Sequence, residues 1–200
     1  MNQEKEMTEQ ESMMIIARMI HTAKREQKDN GKGWILWGWM LFIVSVLTIV
    51  NIHQHWVDTW TFWNFFGLFT VVMMIYSIAR RISHKQVRVK TYTNELFIKL
   101  NIGFFISIIF ISVAMNVQKI TPQAGFSLLI DLYGFWILIY GASLDFKPSI
   151  VAAFLVWGIG IGSLFTHSFE TVMSCHAAAV LVGYIIPGHI ANREFNKIRR

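Results

Sequence analysis

The chain has 200 residues and a mass of 23.2 kDa, enough for one compact domain and hardly for two. Only 15% of the residues are charged and 54% are apolar, whereas soluble domains carry roughly 25% charged residues; long charge-free stretches and a mean hydropathy of +0.45 exclude both a disordered chain and a soluble fold. The single cysteine, Cys175, excludes an intrachain disulfide framework and any multi-cysteine zinc or iron–sulfur site, and the net charge of +6 reads as basic residues held at the cytoplasmic membrane surface rather than as a nucleic-acid footprint.

Residues 1–33 form a polar leader. Thr8 and Glu11 fit a capping box, Met13, Ile16, Ala17 and Ile20 recur at helical spacing, and Asn30-Gly31 is a stop signal. An amphipathic helix over roughly 9–29 follows from this pattern. It suits a cytoplasmic membrane surface, with Lys24, Arg25, Lys28 and Lys32 toward anionic headgroups, and equally a helix packed on its own bundle or on a partner subunit. No cleavage site follows a short apolar core, so no removable signal peptide is read.

Six apolar segments come next, over roughly 34–52, 59–79, 96–117, 124–144, 149–166 and 171–191. Each is long enough to cross about 30 Å of hydrocarbon. The expected fold is therefore all-α: a polytopic bundle of six transmembrane helices over 34–191, preceded by the leader and followed by a basic tail, 192–200. Pro122 and Pro148 stand at helix starts, and Pro187 is expected to kink or end the sixth segment. Seventeen of the eighteen Lys and Arg residues fall on one side of this arrangement, among them Arg80, Arg81, Lys85 and Arg88 in the second loop and Arg199 and Arg200 in the tail; Lys119 stands alone opposite. The positive-inside rule then places both termini in the cytoplasm. Trp34, Trp37 and Trp39 are expected at the inner interface and Trp56, Trp60 and Trp63 at the outer one, with Trp136 and Trp157 as packing residues. Gly158 with Gly162, and Ala179 with Gly183, make small-x-x-x-small faces that predict close helix contacts, within the protomer or between copies.

Ionisable groups inside spans are expensive and so draw attention first. Asp131 sits about 10 Å deep in the fourth segment at 1.5 Å per residue, and His176 lies at a similar depth in the sixth. Asn64 and Cys175 belong to the same layer by depth. Such a layer is a proton relay, an ion site or a polar pocket on one reading, and an interhelical hydrogen bond fixing helix register on the other. The outer side also gathers His53, His55, His167 and Glu170, with Asp58 beside them; with His176 these are donors suited to zinc, nickel or copper. Solvated interface histidines are the plainer reading, because H-x-H on a helix points its two rings apart. GIGIG at 158–162 lacks the preceding strand that a phosphate loop needs, and no G-x-S-x-G or H-E-x-x-H motif is present. The sequence requires no cofactor.

Three stretches carry a resemblance: Gly33-Trp34-Ile35-Leu36-Trp37-Gly38-Trp39 after the leader, the corner from Tyr140-Gly141-Ala142 to Phe146-Lys147-Pro148, and Tyr184-Ile185-Ile186-Pro187-Gly188-His189. Together they resemble a family of small, uncharacterised six-span inner-membrane proteins of bacteria with a charged N-terminal leader. The resemblance spans nearly the whole chain. It implies an integral cytoplasmic-membrane protein and a neighbouring transcriptional regulator, and supplies no activity and no catalytic residue. The expected function is a non-enzymatic sensory, regulatory or scaffolding role through the basic cytoplasmic face, with anionic lipid and a membrane partner or second copy as partners and no direct nucleic-acid binding. The alternatives are a small transporter or channel-like oligomer using the Asp131/His176 layer, and a metal-dependent intramembrane enzyme.

Overall fold

Helix boundaries follow from local chemistry. Thr121, in an extended conformation, accepts a hydrogen bond from the Ala124 N–H through its side chain, and Pro122 begins the helix behind it, where its missing N–H costs nothing. Ser168 caps Thr171 in the same way. Asp58 takes the Trp60 N–H at 2.9 Å and opens another helix. His55 and Asp145 close helices in the left-handed conformation, at φ 52° and 53°.

The computed structural model describes residues 10–15, 31–83 and 92–198. It is all-helical, in the order α1 (Lys32–Gln54), α2 (Thr61–Ser83), α3 (Tyr92–Asn116), α4 (Pro122–Leu144), α5 (Lys147–Leu164) and α6 (Phe169–Val180), then a π-helical turn (Leu181–Ile185) and α7 (Ile186–Ile198). Five rods are long and apolar enough to cross a membrane: α1, the Leu96–Asn116 part of α3, α4, α5, and the continuous Phe169–Lys197 rod. The described apolar stretch of α2 is Thr61–Met73. Successive rods run up and down, so α1 begins and α7 ends at one end of the bundle, here the terminal end; the opposite end is the distal end. Of the expected leader helix, residues 10–15 are helical and the rest lies outside the described residues.

The core is built by α1, α4, α5 and the α6–α7 rod. Helices α4 and α5 form the tightest pair. A Cβ at Gly141 would come 2.9 Å from the Ile150 nitrogen, and one at Gly134 would come 2.6 Å from the Trp157 indole. Close backbone approach of this kind replaces the hydrophobic drive that lipid cannot supply. The terminal end is held by Gly31, at φ 65°, whose Cα backs onto the Gly188 carbonyl where α7 passes α1.

Two expectations need correction. The sixth segment neither ends at 191 nor breaks at Pro187: the rod continues to Ile198. Proline lacks an N–H and its ring would press on the carbonyl four residues back, that of Gly183; the widened turn at Leu181–Ile185 lies at this point and makes room. Within the protomer Gly158 and Gly162 make no close helix contact: both are exposed on α5 with nothing within 4 Å of either Cβ position, because α5 turns Gly160 toward α4. Ala179 and Gly183 are buried, Gly183 against Ile137 and Val156. Trp34, Trp37, Trp60 and Trp63 are partly buried against the core, while Trp39 and Trp56 are exposed. Aromatic neighbours hold the first four, for example Trp34 on Tyr140 at 4.4 Å and Trp63 on Phe126 at 4.6 Å.

Candidate functional site

Helix α1 crosses the bundle with a polar buried stripe: Ser45, Thr48 and Asn51, each three residues from the next and so on one face. In lipid each must find a partner inside the protein. Thr48 bonds back to the Val44 carbonyl at 2.8 Å. Asn51 closes the α1–α2 turn, accepting the Val57 N–H at 3.0 Å and donating to the Val57 carbonyl at 2.9 Å. Ser45 reaches across to α6.

His176 of α6 is the centre of this set. It is fully buried, and Trp63, Phe126 and Tyr133 present rings to it at 5.4–5.5 Å. The Ser45 hydroxyl donates to the Leu41 carbonyl at 2.8 Å, which spends its only proton. Ser45 Oγ therefore faces His176 Nδ1, 2.9 Å away, as an acceptor, and Nδ1 carries the hydrogen. The Nε2 lone pair is then left to accept from the Tyr133 hydroxyl at 3.4 Å. Both nitrogens of the imidazole are thus partnered. It ties α1, α4 and α6 at one level.

The layer expected by depth does not assemble around it. Asp131 is exposed on the outward side of α4, and its backbone carbonyl accepts the Trp157 indole N–H at 3.1 Å. Asn64 is exposed on α2, because that helix packs through Trp63 and Phe66. Cys175 is half-buried against the core, one residue and so about 100° around the helix from His176. Depth along a helix was matched; rotation about it was not. The polar partners that His176 does have, Ser45 and Tyr133, carry a signal in the sequence, since Ser45-x-x-Thr48-x-x-Asn51 is a one-sided polar stripe in an otherwise apolar segment.

The histidines divide as well. His53 Nε2 lies 3.0 Å from Glu170 Oε1, which links the end of α1 to the start of α6 at the distal surface. His55 leaves the helix in the left-handed cap and points elsewhere, His167 lines a separate pocket, and His176 is in the core. Among the described residues no three His, Cys, Asp or Glu side chains come together to hold a metal. The expected donor set is thus reduced to one exposed pair. Both partners are more than a third exposed, so the link is worth only a few tenths of a kcal/mol, up to ~1. Glu170→Gln is expected to leave the unfolding midpoint in micelles nearly unchanged; a loss above about 2 kcal/mol would mean the pair has a buried role that this geometry does not give it.

A cavity of about 310 Å³ at the distal end lies where α4 begins and α5 ends. Thr121, Gln123, Ser127, Ser163, Thr166 and His167 supply polar groups to its lining. Ser127 and Ser163 form its buried floor, joined at 2.7 Å. Lys24, Arg25, Lys28, Lys85, Arg88, Arg199 and Arg200 lie outside the described residues; Arg80 and Arg81 are on the last turn of α2 and Lys32 on the first turn of α1, all at the terminal end. Comparison with models of protein families, with curated proteins and with solved structures finds no match.

Proposed function

We propose that this is a six-span protein of the bacterial cytoplasmic membrane, with both termini cytoplasmic, that acts non-enzymatically as a sensory, regulatory or scaffolding element through its basic cytoplasmic face. On this reading it belongs with the small six-span inner-membrane proteins that it resembles. One observation carries the functional part: the fully buried polar centre, Ser45, Tyr133 and His176, is bonded within itself. Such a centre holds helices in register and offers no relay. The charge available for interaction is concentrated in the leader, the second loop and the tail, where anionic headgroups, a membrane partner or a second copy would meet it. A transporter using an Asp131/His176 layer loses its residue basis when the two side chains part company, and a metal enzyme has no donor cluster among the described residues.

Two measurements test the reading. Reporter fusions at residue 200 and in the loop around Lys119 are expected to give opposite results, cytoplasmic and external; a periplasmic C-terminus overturns the topology. Purified protein in sealed vesicles is expected to pass no protons or metal ions above the empty-vesicle rate. A protein-dependent flux that disappears in Asp131→Asn would replace this reading by the transporter.

A further inference from the structure

The distal pocket runs inward from Thr121 at its rim to Ser127 at its floor, six residues along α4, or about 9 Å at 1.5 Å per residue. Its volume of 310 Å³ lies at the lower end of the roughly 300–1,000 Å³ of small-molecule sites. The floor is buried, with Ser127 and Ser163 only 4% and 1% exposed. Ser163 Oγ stands 2.7 Å from Ser127 Oγ and 2.6 Å from the Gly160 carbonyl, and Ser127 Oγ stands 3.0 Å from the Gln123 carbonyl. Three short oxygen contacts thus share two hydroxyl protons. With both protons turned inward, one contact is still left without a proton; turning either proton to the cavity would leave two. The floor therefore offers lone pairs to the pocket and keeps its protons, so a group that settles on it has to bring a donor.

The rim is of the opposite kind. Thr121 Oγ accepts the Ala124 N–H and Thr166 Oγ accepts the Ser168 N–H, both at 3.3 Å. Each threonine keeps its own hydroxyl proton to give. No Asp, Glu, Lys or Arg stands among the lining residues. A cationic ligand would bring donors and find no counter-charge, and an anionic one would meet the lone pairs of the floor as well. Ala124 and Leu164 add apolar surface. A molecule with hydroxyls on neighbouring carbons answers all of this. Its protons go to the floor, its lone pairs accept from the rim, and its C–H groups lie on Ala124 and Leu164.

We propose that the distal pocket is a binding site for a small uncharged polyol, the size of a monosaccharide or less, with the Ser127–Ser163 pair as the acceptor that selects it. The hydroxyls come from a free sugar or glycerol on the distal side, or from the glycerol headgroup of a lipid whose phosphate stays outside the pocket. A site of this kind deepens the sensory reading, and its use as a sensor rests on that reading. Binding itself does not, since it is measured on the isolated protein whatever the basic face meets.

Saturation-transfer NMR on the full-length protein in phosphatidylcholine nanodiscs tests it, with glucose and glycerol as probes and glycine and acetate as charged counter-probes. Saturation of the two polyols is expected in the millimolar range, above that of empty nanodiscs and above that of glycine and acetate. Ala124→Phe, which fills the pocket, is expected to abolish it, and Ser163→Leu provides the same reading should Ala124→Phe not fold. Ser163→Ala leaves Ser127 with a proton for the Gln123 carbonyl and ends the shortage, so it is expected to weaken glucose binding several-fold with little change in the unfolding midpoint. Phosphatidylglycerol added to the nanodiscs distinguishes the sources: a fall in the glucose signal assigns the site to the lipid headgroup, an unchanged signal to a free polyol, and the class stands in both cases. No saturation by either polyol, or saturation that survives Ala124→Phe or Ser163→Leu in a folded protein, overturns the site. Glucose binding indifferent to Ser163→Ala overturns the role of the floor. Preference for glycine or acetate, or loss of the glucose signal to sodium at fixed ionic strength, overturns the polyol class.

Discussion

Replacing His176 by alanine is expected to destabilise the folded bundle by about 3–4 kcal/mol, the range for emptying a large, fully buried aromatic-sized site. The ring fills the space between Trp63, Phe126 and Tyr133, and α1 reaches α6 through it. Its two hydrogen bonds contribute less, since bonds between helices in membranes average roughly 0.6 and rarely exceed about 2 kcal/mol. His176→Leu keeps most of the volume and drops both bonds, leaving the Tyr133 hydroxyl without its acceptor; its cost is expected to be smaller, about 1–2 kcal/mol. Reversible unfolding in mixed micelles measures both. Equal losses would put the hydrogen bonds ahead of packing, and an unchanged His176→Ala would remove this centre from the core altogether. Ordering the losses this way also bears on function, because a residue held for packing has no reason to change its protonation in a working cycle.

How much of this could be read from the sequence depends on which coordinate is asked for. Position along a helix is legible: apart from Asp131, charges avoid the middle turns of the spans and return at their ends, and the segments read from the sequence begin and end within a few residues of α1, α3, α4 and α5. Rotation about the helix is not, because an apolar span offers little amphipathic contrast to fix it. Asp131 and His176 agree in depth and disagree in direction for that reason. The same ambiguity hides which glycines meet a neighbour: Gly158 and Gly162 match the familiar spacing and face outward, while Gly134 and Gly141, seven residues apart, carry the contact. The ring partners of tryptophan are hidden for the same reason: Trp60 stacks on Phe126 and Trp63 tilts against it, a pairing that depth alone does not give. Pro187 shows a local rule overridden by its neighbours, since one widened turn lets the rod continue. The polar stripe of α1 was visible in the letters but had no partner until α4 and α6 were placed beside it.

The second large effect is expected at Gly141. Valine there is expected to cost at least ~3 kcal/mol, at or beyond the upper end of ordinary overpacking. A new Cβ would stand 2.9 Å from the Ile150 nitrogen and 3.0 Å from Ser149 Cβ. A crowded side-chain tip can rotate away; a backbone nitrogen in the second turn of α5 moves only if the whole helix does. The short corner of Asp145 and Phe146 fixes α5 against α4 four residues from Gly141 and from Ile150, with the Phe146 N–H bonded to the Gly141 carbonyl at 2.8 Å, so the displacement has to be taken up along the seam. That motion would loosen Trp157 from Gly134 and from the Asp131 carbonyl. Gly141→Ala, which adds one methyl, is expected to lose less than Gly141→Val in the same unfolding measurement, and Gly158→Val, on the outward side of α5 with nothing within 4 Å of its Cβ position, is expected to lose little. If Gly158→Val proved the more damaging of the two valine variants, the close contact of α5 would be with something outside the protomer, and the α4–α5 seam would no longer be the contact that sets the bundle.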